Sequence, residues 1–205
     1  VANGMPNPQQ DDYKAMSAPN VQEKSTDSPL RWMMASEVAF LRAEGAMRGW
    51  TAEMGGTAEE FYNKGIELSF LENGLSADAA ARYAADETSK PTDFTDVSAA
   101  NTKYNISALG KITIKWNAGA SEEEQLERII TQKWIAMFPN GTEAWSEFRR
   151  TGYPLIFPVR SNYPTSGVDT NKQIRRMVLP QSEYSNIGAA VQEAGKLLGR
   201  PDNGG

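Results

Sequence analysis

The 205-residue sequence contains no cysteine and no histidine, and each absence excludes a class of chemistry. Without cysteine there is no disulfide, no thiolate nucleophile and no thiolate zinc site. Without histidine there is no imidazole base for a Ser–His triad and none of the common nitrogen ligands for metals. Carboxylate pairs, Lys, Tyr and Lys-activated Ser remain as catalytic options. From the sequence we assign no catalytic residue, no metal site and no cofactor.

Long apolar runs and an excess of basic residues are also lacking. No stretch is apolar over the length that spans a bilayer. The formal net charge of −5 disfavours nucleic acid as a partner, because phosphate binding needs clustered Lys and Arg. The hydrophobic fraction of 40% is that of an ordinary globular protein, and 205 residues suffice for one substantial core.

The clearest pattern in the sequence predicts a pair of helices between Ser121 and Pro154. Ser121 and Glu124 have the spacing of a capping box, which marks the start of the first helix. Six positions of this helix recur at helical spacing and predict its buried face: Leu126, Ile129, Ile130, Lys133, Trp134 and Met137. Pro139-Asn140-Gly141 ends it, and Thr142 is the predicted cap of the second helix.

The second helix of this pair is predicted to stop at Gly152, where a helix commonly takes a left-handed residue, and Pro154 prevents its continuation. Arg149-Arg150 place positive charge at its carboxyl end, which the helix dipole favours. Three side chains are predicted to point inward: Ala144, Trp145 and Phe148.

Upstream, Ser28 as cap and Pro29 in the first turn predict a helix over about Leu30–Arg48. Its predicted packed stripe consists of Trp32, Met33, Ser36, Ala39, Phe40, Ala43 and Met47. A second capping box, Thr57 with Glu60, precedes a predicted helix over Ala58–Glu72. The two helices have the small and large residue spacing of a tetratricopeptide pair, a spacing that many helix hairpins share.

The rest of the chain is less regular. A third helix is predicted to start at Ser76 and to run to Pro91. Alternation of polar and apolar residues over Lys111–Trp116 predicts a short strand or extended piece. After the helix pair, a long polar loop is predicted over 153–173. The last helix is predicted over Asn186–Leu198, started by Ser182 or Ser185. The fold class is therefore all-α with long loops. Residues 1–27 are predicted to be an extended polar segment of a truncated chain, and 28–205 a helical domain.

Several charged groups have a catalytic or binding interpretation and a structural one. Glu59-Glu60 and Glu122–Glu124 could be glycosidase carboxylates, but first-turn Glu residues are favoured for capping and dipole reasons alone. Ser89-Lys90 is only a lone dipeptide for a Ser–Lys dyad. Arg149-Arg150 and Arg175-Arg176 could bind an anion; the favoured role is to hold the long loop through carbonyls and carboxylates such as Glu147 or Glu183.

Tyr104 and Trp116 are the candidate substrate-binding residues. Sugar rings stack their apolar faces on aromatic side chains, and Asn105 and Asn117 could bind the hydroxyl groups. The alternative, that these side chains pin a loop to the helices, is the more common use of such residues.

Five stretches, taken together and in order, resemble a known family. They are WMMASEVAFLRAE from Trp32 with FYNKGIELSF from Phe61; ERIITQKWIA from Glu127; EAWSEFRRTGYP from Glu143; and RRMVLPQSEY from Arg175, followed by the late Gly199 and Asp202-Asn203. Over roughly residues 28 to 203 the chain resembles the SusD/RagB starch-utilisation family, in its C-terminal portion only.

This resemblance implies a SusD-like α/α scaffold of tetratricopeptide-like helix pairs. It implies a non-catalytic surface lipoprotein of the Bacteroidetes outer membrane, which binds an oligosaccharide or other nutrient and works with a TonB-dependent transporter. The lipid-bearing Cys of such proteins is absent from these 205 residues. The alternative is a helical interaction scaffold that docks on the transporter without a ligand site in this segment. A carboxylate glycosidase is the third and weakest interpretation.

Overall fold

The computed structural model describes residues 31–96, 102, 104–158, 169–174, 177 and 179–198. Seven helices occur in these residues: α1 (Ala35–Met47), α2 (Thr51–Met54), α3 (Ala58–Glu72), α4 (Ala77–Ala84), α5 (Glu122–Ala136), α6 (Gly141–Thr151) and α7 (Gln181–Leu198). The same residues contain no strand, only an isolated antiparallel bridge between Phe94 and Ile106. The predicted all-α fold class is confirmed. The predicted segment 1–27 and the caps Ser28 and Pro29 lie outside the described residues.

Helices α1 and α3 pack antiparallel, as a tetratricopeptide-like pair does. At one end, the Glu72 carboxylate of α3 accepts hydrogen bonds from the backbone N–H and the hydroxyl of Ser36 in α1, at 3.0 and 2.6 Å. Near the middle, Phe40 lies on Gly65, where an added Cβ would lie 2.7 Å from the ring. Phe40, Tyr62 and Ile66 are at most 2% exposed, so this contact forms the centre of the core.

The start of α1 differs from the prediction. Met34 occupies the N-cap position in extended conformation (φ −98°, ψ 145°), so the helix begins at Ala35 and not near Leu30. Trp32 and Met33 precede the helix, and helical spacing does not apply to them. They are 87% and 61% exposed, so their place in the packed stripe was wrong.

Helix α4 is shorter than predicted because Asp86 forms a competing local turn. Its carboxylate accepts the backbone N–H groups of Thr88 and Ser89 at 2.7 and 2.9 Å, and the helix ends at Ala84 and not near Pro91. Residues 111–116 form no strand. Instead the backbone there crosses the core. The Lys115 N–H donates to the Asp86 carbonyl at 2.9 Å, and the Ile114 carbonyl accepts a hydrogen bond from the Tyr62 hydroxyl.

Helix α5 begins as predicted, at a complete capping box of Ser121 and Glu124. Its predicted face is buried with one exception, Trp134, which is 40% exposed, so that assignment was wrong. The cap of α6 is Asn140, whose side-chain oxygen accepts the Glu143 N–H at 3.3 Å, and not Thr142. Gly152 ends α6 in the left-handed region at φ 85°, as predicted.

Helix α7 starts earlier than predicted, at Gln181, and has a non-helical residue inside it, Ile187 (φ −136°, ψ 36°). The main core is built by α1, α3, α4 and α5 together with Trp116. Within the described residues, no helix combines the length and the apolar character that crossing a membrane requires.

Candidate functional site

Trp116 lies inside the molecule. Its side chain is 8% exposed, and its ring centroid lies 5.2 Å from that of Tyr62, with the two planes at 46°. The Tyr62 hydroxyl donates to the carbonyl of Ile114, two residues before Trp116, and burial raises the pKa of that hydroxyl well above its usual range. Trp116 therefore ties the 111–116 segment to α3, and only an edge of its ring reaches a surface cavity.

Tyr104 is half-buried and does not line the cavity that Trp116 reaches. The two amides proposed to accompany these aromatics have backbone partners. The Asn105 side-chain oxygen accepts the Asp96 N–H at 2.8 Å, and that of Asn117 accepts the Gly119 N–H at 3.0 Å. The structure does not bring Tyr104 and Trp116 to one site; a sugar-binding role of either residue stays a prediction.

A groove of about 750 Å³ lies between the outer faces of α3 and α4. Helix α3 contributes polar residues one turn apart to one wall: Glu59, Glu60, Asn63, Lys64 and Glu67. Helix α4 contributes small residues to the other: Ala77, Ala80, Ala81, Ala84 and, just beyond it, Ala85. Because alanine side chains are short, the two helices leave an open channel with Lys115 and the edge of Trp116 at its base.

The charges of the groove are largely engaged. Hydrogen bonds from Thr57 hold the pKa of Glu60 below its ordinary value, and Lys64 pairs with Glu67 at 2.9 Å. Lys115 forms an ion pair with Glu87, which raises the pKa of Lys115. The side chains of Asn63 and Asp78 hydrogen-bond to no described residue. The groove thus offers an amide and a carboxylate beside an apolar wall of alanines, a combination that suits a ligand with hydroxyl groups and an apolar face.

Three of the five carboxylates weighed as glycosidase candidates, Glu60, Glu123 and Glu124, have structural partners. Glu60 and Glu124 complete the capping boxes of α3 and α5. Glu123 accepts the Tyr153 hydroxyl at 2.9 Å; burial and this carboxylate raise the pKa of Tyr153 to about 12. These interactions give each of the three carboxylates a role in the fold.

A buried charge cluster joins α1, α5 and α6. Lys133 is 1% exposed, and its Nζ lies 2.6 Å from Glu147, 3.4 Å from Glu143 and 3.7 Å from Glu37. Burial raises the pKa of Glu37, and Lys133 only partly offsets this effect. Sequence analysis placed Lys133 on the buried face but gave it no partner.

Arg150 extends this cluster to Glu44. Its guanidinium donates to both Glu44 carboxylate oxygens, at 2.7 and 2.6 Å, and to Glu147 at 2.6 Å. Burial favours a higher pKa for Glu44, but hydrogen bonds from Arg150 and Arg48 outweigh it and hold the pKa below its ordinary value. Arg150 does contact Glu147, one of the carboxylates suggested from the sequence, but through Glu44 it joins α6 to α1, whereas the sequence predicted that it holds the long loop.

Of the other arginines singled out in the sequence, one packs on an aromatic ring and two lie outside the described residues. Arg149 stacks on the ring of Trp145 at 4.4 Å, and Trp145 in turn donates its indole N–H to the Ile174 carbonyl at 2.9 Å. This contact anchors the chain that follows the long loop. Arg175-Arg176 lie outside the described residues.

Sequence reasoning missed the groove, although its components are visible in the sequence. Glu59, Asn63 and Glu67 recur every fourth residue on the polar face of α3, and α4 is rich in alanine. What the sequence does not show is that the two faces meet, because this depends on the packing of α3 and α4 against each other.

Comparison with known proteins gives a family match over the whole chain. The family model described as SusD-like, SusD and RagB outer membrane lipoprotein, matches residues 1–205. No curated protein matches. A chitin-binding SusD homologue from Flavobacterium johnsoniae is 46% identical, with a TM-score of 0.73 over 85% of this chain and 35% of its own.

Two further solved structures are similar. A SusD homologue from Bacteroides uniformis is 47% identical, with a TM-score of 0.73 over 89% of this chain and 37% of its own. One from Bacteroides vulgatus is 38% identical, with a TM-score of 0.76 over 91% of this chain and 36% of its own. The chain therefore spans little more than a third of the length of these relatives, which are 35–37% covered.

Proposed function

Because this chain belongs to the SusD-like family of outer membrane lipoproteins, we propose that it is part of a non-catalytic surface protein that binds a glycan or other nutrient. The family is one of outer membrane carbohydrate-binding proteins, generally without catalytic activity. In the proposal, the protein is surface-exposed, lipid-anchored through an N-terminal Cys absent from these residues, and delivers its ligand to a TonB-dependent outer membrane transporter.

One observation carries this proposal: the 46% identity to a chitin-binding SusD homologue over 85% of the chain. The structural partners of Glu60, Glu123 and Glu124 support the non-catalytic part, because a carboxylate fixed in a cap or on a tyrosine hydroxyl is poorly placed for proton transfer. The α3–α4 groove supports the presence of a ligand surface in this segment.

A binding and turnover assay on the full-length protein tests the proposal. We expect saturable binding to at least one oligosaccharide in a panel that includes chitin fragments, starch fragments and plant glycans. We also expect no release of reducing sugar above the buffer blank from the bound glycan. Release at enzyme-like rates would refute the non-catalytic reading; absence of any binding across the panel would refute glycan as the ligand.

The second candidate function is a helical scaffold that docks on the transporter without binding a ligand in this segment. Large exposed apolar side chains favour it: Trp32 is 87% exposed, Met33 61% and Phe138 67%. Asn63→Ala and Asp78→Asn distinguish the two, with exposed Gln192→Ala on α7 as the control. Weaker glycan binding in the two groove variants alone supports a ligand surface here. Unchanged binding, with transporter capture lost on Phe138→Ser, supports the scaffold.

A further inference from the structure

A second, smaller cavity lies between α5 and two loops. Its volume is about 230 Å³, and it is bounded by the end of α4, residues 89–91, residues 112–114 and α5. One part of the wall is apolar and consists of Pro91, Ile112, Ile114 and Ile135. At a share of ~30 Å³ for each water molecule, this crevice has room for about seven waters.

The polar wall of the crevice contains a buried amide with one unused end. Gln132 is 7% exposed, and its side-chain oxygen accepts the Tyr83 hydroxyl at 3.1 Å. Its amide nitrogen has no partner in the described part of the chain. Among the described residues, Arg128 Nε is the one side-chain nitrogen or oxygen atom that is both inaccessible to solvent and without a hydrogen-bond partner. Because the Gln132 nitrogen also has no partner but is not such an atom, it is accessible to solvent. Gln132 lines the crevice, so we assign this accessible end of the amide to the crevice. If the amide were turned over, its oxygen would occupy the same position, so either orientation leaves a polar atom for a ligand.

Two threonine hydroxyls lie on the same wall. Thr131 and Thr113 are half-buried and line the crevice, and their side-chain hydroxyls form no hydrogen bond with a described residue. A threonine within a helix commonly bonds the carbonyl four residues before it, and Thr131 does not. Buried and half-buried polar groups are normally paired, so an amide and two hydroxyls left open around one cavity indicate a place for a polar ligand.

The charge and shape of the crevice narrow the ligand class. Lys90 is the one charged residue among those that line it, which disfavours a cationic ligand. Three isoleucines and a proline face the open polar groups, and this division matches a sugar ring, which has C–H faces and a rim of hydroxyl groups. A volume of about 230 Å³ accommodates one such ring.

We propose that this crevice, named here the Gln132 crevice, binds a single neutral sugar residue, such as a branch or the end of a glycan. The amide of Gln132 and the hydroxyls of Thr113 and Thr131 bind the hydroxyl or acetamido oxygens, and the isoleucine wall covers the C–H face. The inference rests on the proposed glycan-binding function and adds a site to it. The crevice is distinct from the α3–α4 groove, because the two share no lining residue.

The test uses the full-length protein and the methyl glycosides of glucose, galactose, mannose and N-acetylglucosamine. Saturation-transfer difference NMR gives binding and its dissociation constant for each probe. We expect one or more of these to bind, and Thr131→Val to weaken that binding by roughly three- to tenfold, as for one lost hydrogen bond. Thr142→Val, the same change at an exposed position of α6, is the matched control and should bind as the wild type does.

Gln132→Leu is the second variant and should weaken binding at least as much, because it removes the buried amide. If it fails to fold, as thermal unfolding would show, Thr131→Val still decides the matter. Wild-type affinity in Thr131→Val refutes the crevice and leaves the glycan function standing if oligosaccharides still bind. Absence of binding for all four glycosides with retained oligosaccharide binding also refutes the crevice alone. Absence of both refutes the crevice and the proposed function together.

Discussion

Lys133 shows how much one residue can depend on its surroundings. An ammonium group that is 1% exposed loses its hydration, and this loss is offset only by Glu147 at 2.6 Å and by the more distant Glu143 and Glu37. The partners come from α1 and α6, so the same contacts fix three helices relative to one another. An apolar pair of similar volume could fill this space, but one charge without the other could not.

Replacement of this lysine alone should therefore destabilise the protein strongly. We expect Lys133→Met to lower the free energy of unfolding by about 3–5 kcal/mol, because it leaves Glu147 as a buried charge without its lysine. Adding Glu147→Leu to this variant should recover part of the loss. Urea unfolding of the two single variants and the double variant measures the coupling.

The control for this experiment is Lys64→Met. Lys64 pairs with Glu67 at 2.9 Å, but both side chains are well exposed, at 50% and 38%, and such pairs contribute little. A change within about 0.5 kcal/mol is expected there. Equal losses for Lys64→Met and Lys133→Met would contradict the argument from burial.

The loss of stability at acidic pH, called here the acid limb, should depend on Glu44. Its folded-state pKa lies below the ordinary value of 4.5, so the unfolded chain binds more protons and stability is lost as the pH falls through that range. Glu37, whose pKa is raised, acts in the opposite direction: it favours the folded state at low pH and loses that contribution as the pH rises past 4.5. Glu44→Gln should flatten the acid limb. Denaturant titrations between about pH 3 and pH 7 measure it, and an unchanged slope would argue against the role of Glu44.

At the scale of helices, the approach of α1 to α3 depends on one missing side chain. A methyl group at Gly65 would lie 2.7 Å from the Phe40 ring, closer than side-chain carbons come in real structures. Gly65→Ala should therefore cost about 1–3 kcal/mol, although alanine is the better helix former. Gly141→Ala at the start of α6, where an added Cβ meets nothing within 4 Å, should be neutral or stabilising. Thermal unfolding of both variants provides the comparison.

The start of α6 offers a test that separates the sequence prediction from the structure. Asn140 accepts the Glu143 N–H at 3.3 Å, so Asn140→Ala should lower the free energy of unfolding by about 0.5–2 kcal/mol. Thr142→Ala, at the cap predicted from sequence, should change it by less than about 0.5 kcal/mol. The reverse order would restore Thr142 as the cap.

The helices were predictable where local chemistry decides them. The boxes at Thr57 and Ser121 and the stop at Gly152 depend on residues within one turn, and all three are found. The errors share a cause, which is that helical spacing and propensity do not show where a helix starts or ends. Trp32 was assigned by helical spacing to a part of the chain that is not helical, and Asp86 ends α4 by a side-chain turn that propensity does not reveal.

The site was harder to predict than the fold. The residue types that suit a sugar led to Tyr104 and Trp116, and Trp116 proved to be a core residue at 8% exposure that shows only its edge to the groove. The α3–α4 groove and the Gln132 crevice each combine segments that are far apart in sequence. A buried Gln with one free amide end becomes visible only when burial and hydrogen bonds are known together.

Seen as a whole molecule, the described part of the chain exposes apolar residues that a monomer normally covers. Trp32 is 87% exposed next to Met33 at 61%. We expect acrylamide to quench the fluorescence of the 205-residue chain strongly and Trp32→Phe to remove much of the quenchable fraction. In the full-length protein, or with its transporter, Trp32 should be protected, because large apolar surfaces mark interaction sites. Equal quenching in the 205-residue chain, in the full-length protein and in the protein with its transporter would contradict this expectation and leave Trp32 without a partner. Trp116→Phe is the control, since its ring is shielded in each state.

The charge cluster around Lys133 also limits how this segment can diverge. Loss of Lys133 or Glu147 alone breaks the buried 2.6 Å pair between them and leaves the other charge with fewer partners, so most one-step paths away from this pair pass through a less stable protein. Exposed pairs such as Lys64–Glu67 carry no such restriction and can drift one residue at a time. We therefore expect lineages of this protein to differ freely at exposed ion pairs away from the groove, such as Lys196–Glu193 on α7, and to exchange Lys133 and Glu147 only together.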